Sequence, residues 1–215
     1  WAEIYDSRPL NFEEMVGNMP GKEACPLLPR LDEMLSNTVE PSIVIQTGSS
    51  SGREIAWLAQ RNPNHKYIGT DIYPDVIARS SQHHNLPNLT FERYSAQKIY
   101  ELLSIYKNHK IVVFSSGSLQ YVQPEHLKIF FQSLRKLNTV EILLEAPGNE
   151  LKRNPTELEG SLWSGNFSYA HNYKLYAENA GLTTVESKSI DPYGDDFPEH
   201  MGTIHYYYHG KTSPR

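Results

Sequence analysis

The chain has one cysteine, Cys25, in 215 residues, which excludes a disulfide within it. It has no run of about eighteen apolar residues and no charged, apolar and small-residue signal pattern at its start. A soluble, cytoplasmic protein with no membrane partner is the expectation. It also has no basic excess, since 20 Lys and Arg stand against 25 Asp and Glu for a formal net charge of −5. Proteins that hold nucleic acid through many phosphate contacts carry a basic face, so no nucleic-acid partner is expected. Clusters such as Lys107–Lys110 and Arg135–Lys136 are short and scattered, as at solvated helix ends. No set of His, Cys and Asp has the close spacing of a structural metal site, and no metal is expected. Asp191, Asp195 and Asp196 would bind a hard cation only if they converged. A small-molecule partner is the reading left standing.

What is present fits one elaborated domain, because 39% hydrophobic and 21% charged residues over this length bury a full core. After residue 40, short β-branched runs alternate with longer amphipathic ones, the α/β pattern. The strand candidates are 42–47, 66–71, 89–94, 110–115, 140–145, 183–190 and 202–208. Helical stretches separate the first five, the clearest being 123–137 with Leu127, Phe130, Phe131, Leu134 and Leu137 on one face. A helix over 169–180, closed by Gly181, precedes the sixth strand. Only a loop joins the last two strands, too short for a crossover, so they are expected to pair as an antiparallel hairpin.

The run "SIVIQTGSSSGREIA" passes from strand to glycine turn to helix, placing free N–H groups and a helix start at one spot. About twenty residues beyond the turn, "YIGTDIYPDVI" ends its strand on Asp71, the spacing expected of a carboxylate that accepts from ribose hydroxyls. A helix cap or strand-end turn is the plainer role for such an aspartate. A nicotinamide dehydrogenase also uses a glycine turn and a later acid, but it wants three glycines and an all-parallel sheet.

This order of elements, with "FSSGSLQYV" after the fourth strand, resembles the class I S-adenosylmethionine-dependent methyltransferases over roughly residues 40–209. The resemblance implies a three-layer Rossmann-like α/β fold, with a seven-stranded, mostly parallel sheet and a C-terminal antiparallel hairpin. Residues 41–215 would form that domain, with lid insertions at about 146–172 and 191–201, preceded by an N-terminal helical or lid segment over 1–40. The implied cofactor is S-adenosyl-L-methionine. The family's acidic residue and Gly-x-Gly-x-Gly correspond here to Gln46, then Gly48, Ser49, Ser50 and Gly52, so the acid and the middle glycine are replaced. Asp71 would take the ribose and Ile72 the adenine face. Ser95 and Ala96 stand where the family has an acidic and a small residue near the adenine amino group. Ser115, Ser116 and Gly117 would lie under the methionine portion. Tyr5 and Arg8 would fold over the cofactor, Arg8 toward its carboxylate.

Parallel strands put their carboxyl ends on one edge, and ligands bind in the crevice there. The segments after the fifth and sixth strands, "GSLWSGNFSYAHNY" and "DPYGDDFPEH", should build the acceptor mouth. Their aromatic and polar residues suit a hydroxylated ring such as a sugar. Methyl transfer to a hydroxyl needs alignment and one general base. His171 is the first candidate, with His200 and Glu145 behind it and Tyr121 as a hydrogen-bond partner of the acceptor. The competing reading is a non-catalytic or cofactor-sensing relative, suggested by Gln46, Ser50 and Ser95.

Overall fold

The computed structural model describes residues 27–137, 140–147, 161–165, 168–190 and 202–208. In chain order the elements are α1 (Leu27–Ser36), β1 (Ser42–Thr47), α2 (Arg53–Arg61), β2 (Lys66–Asp71), α3 (Pro74–His83), β3 (Leu89–Arg93), α4 (Ile99–Ile105), β4 (Lys110–Ser116) and α5 (Pro124–Arg135). They continue with β5 (Val140–Pro147), β6 (Ser161–Gly165), β7 (Ser168–His171), α6 (Tyr173–Asn179), β8 (Thr183–Ile190) and β9 (Gly202–Tyr208). Single 3-10 turns at Ala96–Lys98 and Leu119–Tyr121 lead into α4 and α5.

The main sheet has the order β3-β2-β1-β4-β5-β9-β8. Four parallel pairings join β3 through β5, and β9 pairs antiparallel with both β5 and β8. Strand order reverses between β1 and β4, which opens a crevice at their carboxyl ends. In register, Thr47 stands opposite Ser115 at the mouth of that crevice.

β1 is buried along its whole length, and β4 is buried at Ile111–Ser115, the composition of strands covered on both faces. Alternation divides their side chains. Ile43, Ile45, Ile111 and Val113 pack with α4, α5 and α6, whereas Val44, Val112 and Phe114 pack with α1 and α2. The apolar face read for α5 is in the core, with Leu127, Phe130, Phe131 and Leu134 all buried. Pro74 and Pro124 start α3 and α5, where a missing N–H costs nothing. Gly181, at φ 81°, closes the segment after α6.

One expectation changes here. The helix expected over 169–180 begins only at Tyr173, capped by the Asn172 side chain, which accepts from the Leu175 N–H at 3.1 Å. The residues before it form β7, which pairs antiparallel with β6 in a separate two-stranded sheet. Of the segment over 1–40 the described part includes α1, which buries Leu28, Leu31 and Leu35 in the core.

Candidate functional site

β1 runs into α2 through Gly48–Gly52, a turn with left-handed residues at Gly48 (φ 67°), Ser50 (φ 47°) and Gly52 (φ 72°). The first and last are glycine because the protein's own side chains crowd them. A Cβ at Gly48 would overlap the Ser118 side chain, and one at Gly52 would overlap the Phe91 ring. Ser118 and Phe91 therefore take, at the Cβ positions, the space that sequence reasoning reserved for a ligand. The Ser118 hydroxyl donates to the Thr47 carbonyl at 2.7 Å, so it accepts from the Ser115 hydroxyl, also at 2.7 Å. Ser115 is thereby committed to closing the base of the crevice.

Asp71 faces the turn from the end of β2. One carboxylate oxygen accepts from the Ser50 N–H at 3.1 Å and the other from the Tyr73 N–H at 3.2 Å. Burial pushes its pKa above the ordinary carboxylate value, the N–H groups of Tyr73, Ser50 and Ile72 draw it back, and Asp75 adds a further upward push. The net direction is upward, set by burial, and further hydroxyl donors to the carboxylate would oppose it. Ile72 beside it is 49% exposed.

Five buried side-chain atoms have no hydrogen-bond partner among the described residues: Gln46 Oε1, Thr47 Oγ1, Ser49 Oγ, Arg53 Nη1 and Ser95 Oγ. They lie along β1 and its turn, in the first turn of α2, and just past β3. Buried polar atoms are normally paired, so such a group on the edge where an α/β sheet binds ligands points to a polar ligand. Gln46 is only 2% exposed, and its amide donates to Glu54 Oε2 at 2.5 Å, leaving its oxygen as the open acceptor. A carboxylate thus stands beside position 46 even though that residue is an amide. Ala96 is buried at the start of its 3-10 turn. Ser116 ends β4, and Gly117 follows it at φ 67° with its carbonyl held by Gln120 Nε2 at 2.7 Å.

His171 occupies a different setting from the one expected of a general base. It is the last residue of β7 and is 1% exposed. Nε2 lies 3.0 Å from the Val122 carbonyl, which can only accept, so Nε2 carries the proton. Nδ1 then accepts from the Ser161 hydroxyl at 2.6 Å, and Ser161 accepts from the Tyr176 hydroxyl at 2.8 Å. Tyr169 stacks on the ring. Burial lowers the imidazole pKa to about 4, against the opposing pull of the Val122 and Leu119 carbonyls. With both nitrogens engaged, the ring has no lone pair to offer a substrate; it fastens the β6–β7 hairpin to the segment after β4.

Tyr121 is 47% exposed on its 3-10 turn. Glu145 stands in β5 opposite Ser116 and Ile204. His200, Tyr5 and Arg8, with the 191–201 insertion, lie outside the described residues. Among the described residues no three His, Cys, Asp or Glu side chains group to hold a metal ion, and no helix is long and apolar enough to cross a membrane.

Sequence reasoning missed Ser118, Glu54, Ser80 and His84. Ser80 Oγ donates to the Ser50 carbonyl and His84 Nε2 to the Ser51 carbonyl, each at 2.9 Å. The available signal was their four-residue spacing, which with Ile77 places them on one helical face.

Residues 44–139 match a family described as a methyltransferase domain. A tRNA (guanine-N(7)-)-methyltransferase of Brevibacillus brevis is 28% identical over 109 residues, 49% of this chain and 50% of that protein. The match therefore spans about half of that relative's length. Among solved structures, magnesium protoporphyrin IX methyltransferase from Synechocystis PCC 6803, with bound SAH, superposes with a TM-score of 0.62 at 15% identity, covering 97% of this chain and 92% of that one. A TehB-like SAM-dependent methyltransferase from Corynebacterium glutamicum gives 0.59 at 14% identity, covering 96% of each chain. The Rossmann-like α/β architecture, with its parallel sheet, is the class I methyltransferase fold.

Proposed function

We propose that this chain, with a methyltransferase domain on a class I fold, is an S-adenosylmethionine-dependent methyltransferase that modifies a hydroxyl of a small molecule, a sugar or related metabolite precursor being the preferred class. The observation that carries the reading is the set of partnerless polar atoms in and around the Gly48–Gly52 turn, whose Ser50 N–H is bonded to the Asp71 carboxylate. Asp71 would accept from the ribose, and Ile72 and Ser95 would border the base. Gln46 Oε1, backed by Glu54, would accept from the ammonium of the amino-acid end, and Arg53 would supply the matching donor to its carboxylate. When bound, S-adenosylmethionine supplies a sulfonium-activated methyl group for in-line displacement.

The chain's part in that chemistry is alignment, exclusion of water and removal of one proton. Tyr121, Glu145 and His200 are the groups proposed to meet the acceptor. His171 holds the wall of the mouth in place. The net charge of −5 favours a small acceptor over RNA. The tRNA-modifying relative supports the second reading, a nucleic-acid acceptor.

Thermal denaturation with and without S-adenosylmethionine and S-adenosylhomocysteine tests the cofactor, since a ligand at 100 times its Kd stabilises by about 2.7 kcal/mol. An unmoved transition would remove the proposal. Titration with tRNA at physiological salt tests the acceptor class. Salt-sensitive binding near micromolar would move the acceptor to nucleic acid.

A further inference from the structure

Ser50 holds a left-handed conformation, φ 47°, that a residue with a Cβ rarely adopts. Its neighbours Gly48 and Gly52 meet that demand without steric cost, and Ser50 does not. Its own side chain accounts for none of this, because every hydrogen bond that fixes the residue is made to its backbone. The Ser50 N–H reaches Asp71 Oδ2 at 3.1 Å and the Ser50 carbonyl receives the Ser80 hydroxyl at 2.9 Å. One residue on, the Ser51 carbonyl receives His84 Nε2 at 2.9 Å. The His84 ring also lies beneath Gly52, with its Cδ2 3.1 Å from where a Cβ would stand, and packs beside Phe91 at 6.0 Å between centroids. Ser80 itself is fully buried. The end of α3 thus grips two consecutive carbonyls of the turn from below, while Asp71 grips an N–H from the side.

The geometry points to Ser80 and His84 as positioning residues for the cofactor turn, a clamp that holds Ser50 in the conformation a glycine would adopt unaided. This rests on the reading of Gly48–Gly52 as the S-adenosylmethionine turn. The clamp orients the Ser50 N–H toward Asp71 and so fixes the carboxylate that would accept the ribose. It gives Ser80 a purpose beyond packing, since its hydroxyl reaches across to a backbone 30 residues away.

The test is a double-mutant cycle between Ser50→Gly and Ser80→Ala, read by calorimetric titration with S-adenosylhomocysteine, with His84→Phe as a second variant that keeps the ring and removes the donor. Loss of one such hydrogen bond should weaken binding about fivefold in the Ser50 background. In the Ser50→Gly background the same change should cost less than about twofold, because glycine reaches positive φ without help. Amide exchange over residues 48–53 without ligand should accelerate in Ser80→Ala and His84→Phe by more than the loss of global stability in each variant accounts for. Equal penalties in both backgrounds, or unaltered exchange in both variants, would overturn the clamp. If the wild type binds no S-adenosylhomocysteine, the cofactor reading falls, and exchange alone decides the clamp.

Discussion

Two buried polar clusters flank the end of β4, and they differ in completeness. Around His171, each polar atom of the ring and of Ser161 has its partner, from Tyr176 through Ser161 and the imidazole to the Val122 carbonyl. Around Gly48–Gly52, five buried polar atoms have none among the described residues, and burial raises the pKa of the Asp71 carboxylate beside them. A closed network rigidifies what it touches, whereas an open one is costly until something enters to close it. On the proposed reading, the first cluster is scaffold and the second holds the cofactor. The comparison also shows why residue type alone misleads, since the histidine that looks most chemical belongs to the scaffold.

The contrast can be broken first at His171. Its replacement by alanine removes a buried ring, leaves the Val122 carbonyl without its donor and the Ser161 hydroxyl without its acceptor, and should cost about 3 kcal/mol of stability. Affinity for S-adenosylhomocysteine should change little. Urea unfolding and calorimetry check the two halves, and an undiminished stability with lost catalysis would return the residue to the reaction.

Asp71→Ala should do the reverse. Hydrogen bonds to a charged group contribute roughly 1.5–3 kcal/mol, so cofactor affinity should fall by one to two orders of magnitude while the fold persists. A folded variant with an unchanged dissociation constant would refute the ribose assignment.

Acid sharpens the comparison further. The His171 pKa lies at about 4 in the folded protein against an ordinary 6.5, so between these values the unfolded chain binds the extra proton. Its contribution to stability is fully present above pH 6.5 and is lost as pH falls toward 4, by about 2 kcal/mol at pH 5. The difference in pH dependence between wild type and His171→Phe isolates this effect from the carboxylates, and parallel curves would contradict it.

The smallest effect belongs to Gln46. Gln46→Leu removes the open acceptor beside Glu54 and should weaken S-adenosylhomocysteine about fivefold, the loss of one net hydrogen bond. Calorimetry showing equal affinity would leave the amide a structural role alone.

The central strands were legible because burial on both faces makes them continuous apolar runs, as in "SIVIQT" and "IVVF". The turn and Asp71 were legible from spacing, since a strand, a glycine turn and an acid at the next strand's end describe one edge of a parallel sheet. The β6–β7 hairpin was not. Its strands, "SLWSG" and "SYAH", are short, and β7 runs into α6 with only Asn172 between them, so a helix over 169–180 absorbed it; Asn172 was the available stop sign. The roles of Ser80, His84 and Ser118 were not legible for another reason, since spacing gives a shared helical face for the first two and no partner. These residues act on carbonyls 30, 33 and 71 residues away, and only packing reveals such pairings.

The measurement that bears most directly on the open cluster is a crystal structure with S-adenosylhomocysteine bound. The expected result places its ribose on Asp71 and its amino-acid end beside Gln46 Oε1 and Arg53, with His171 still bonded to Ser161 and Val122. Density for the ligand away from the Gly48–Gly52 turn, with those five atoms still unpartnered, would contradict the account.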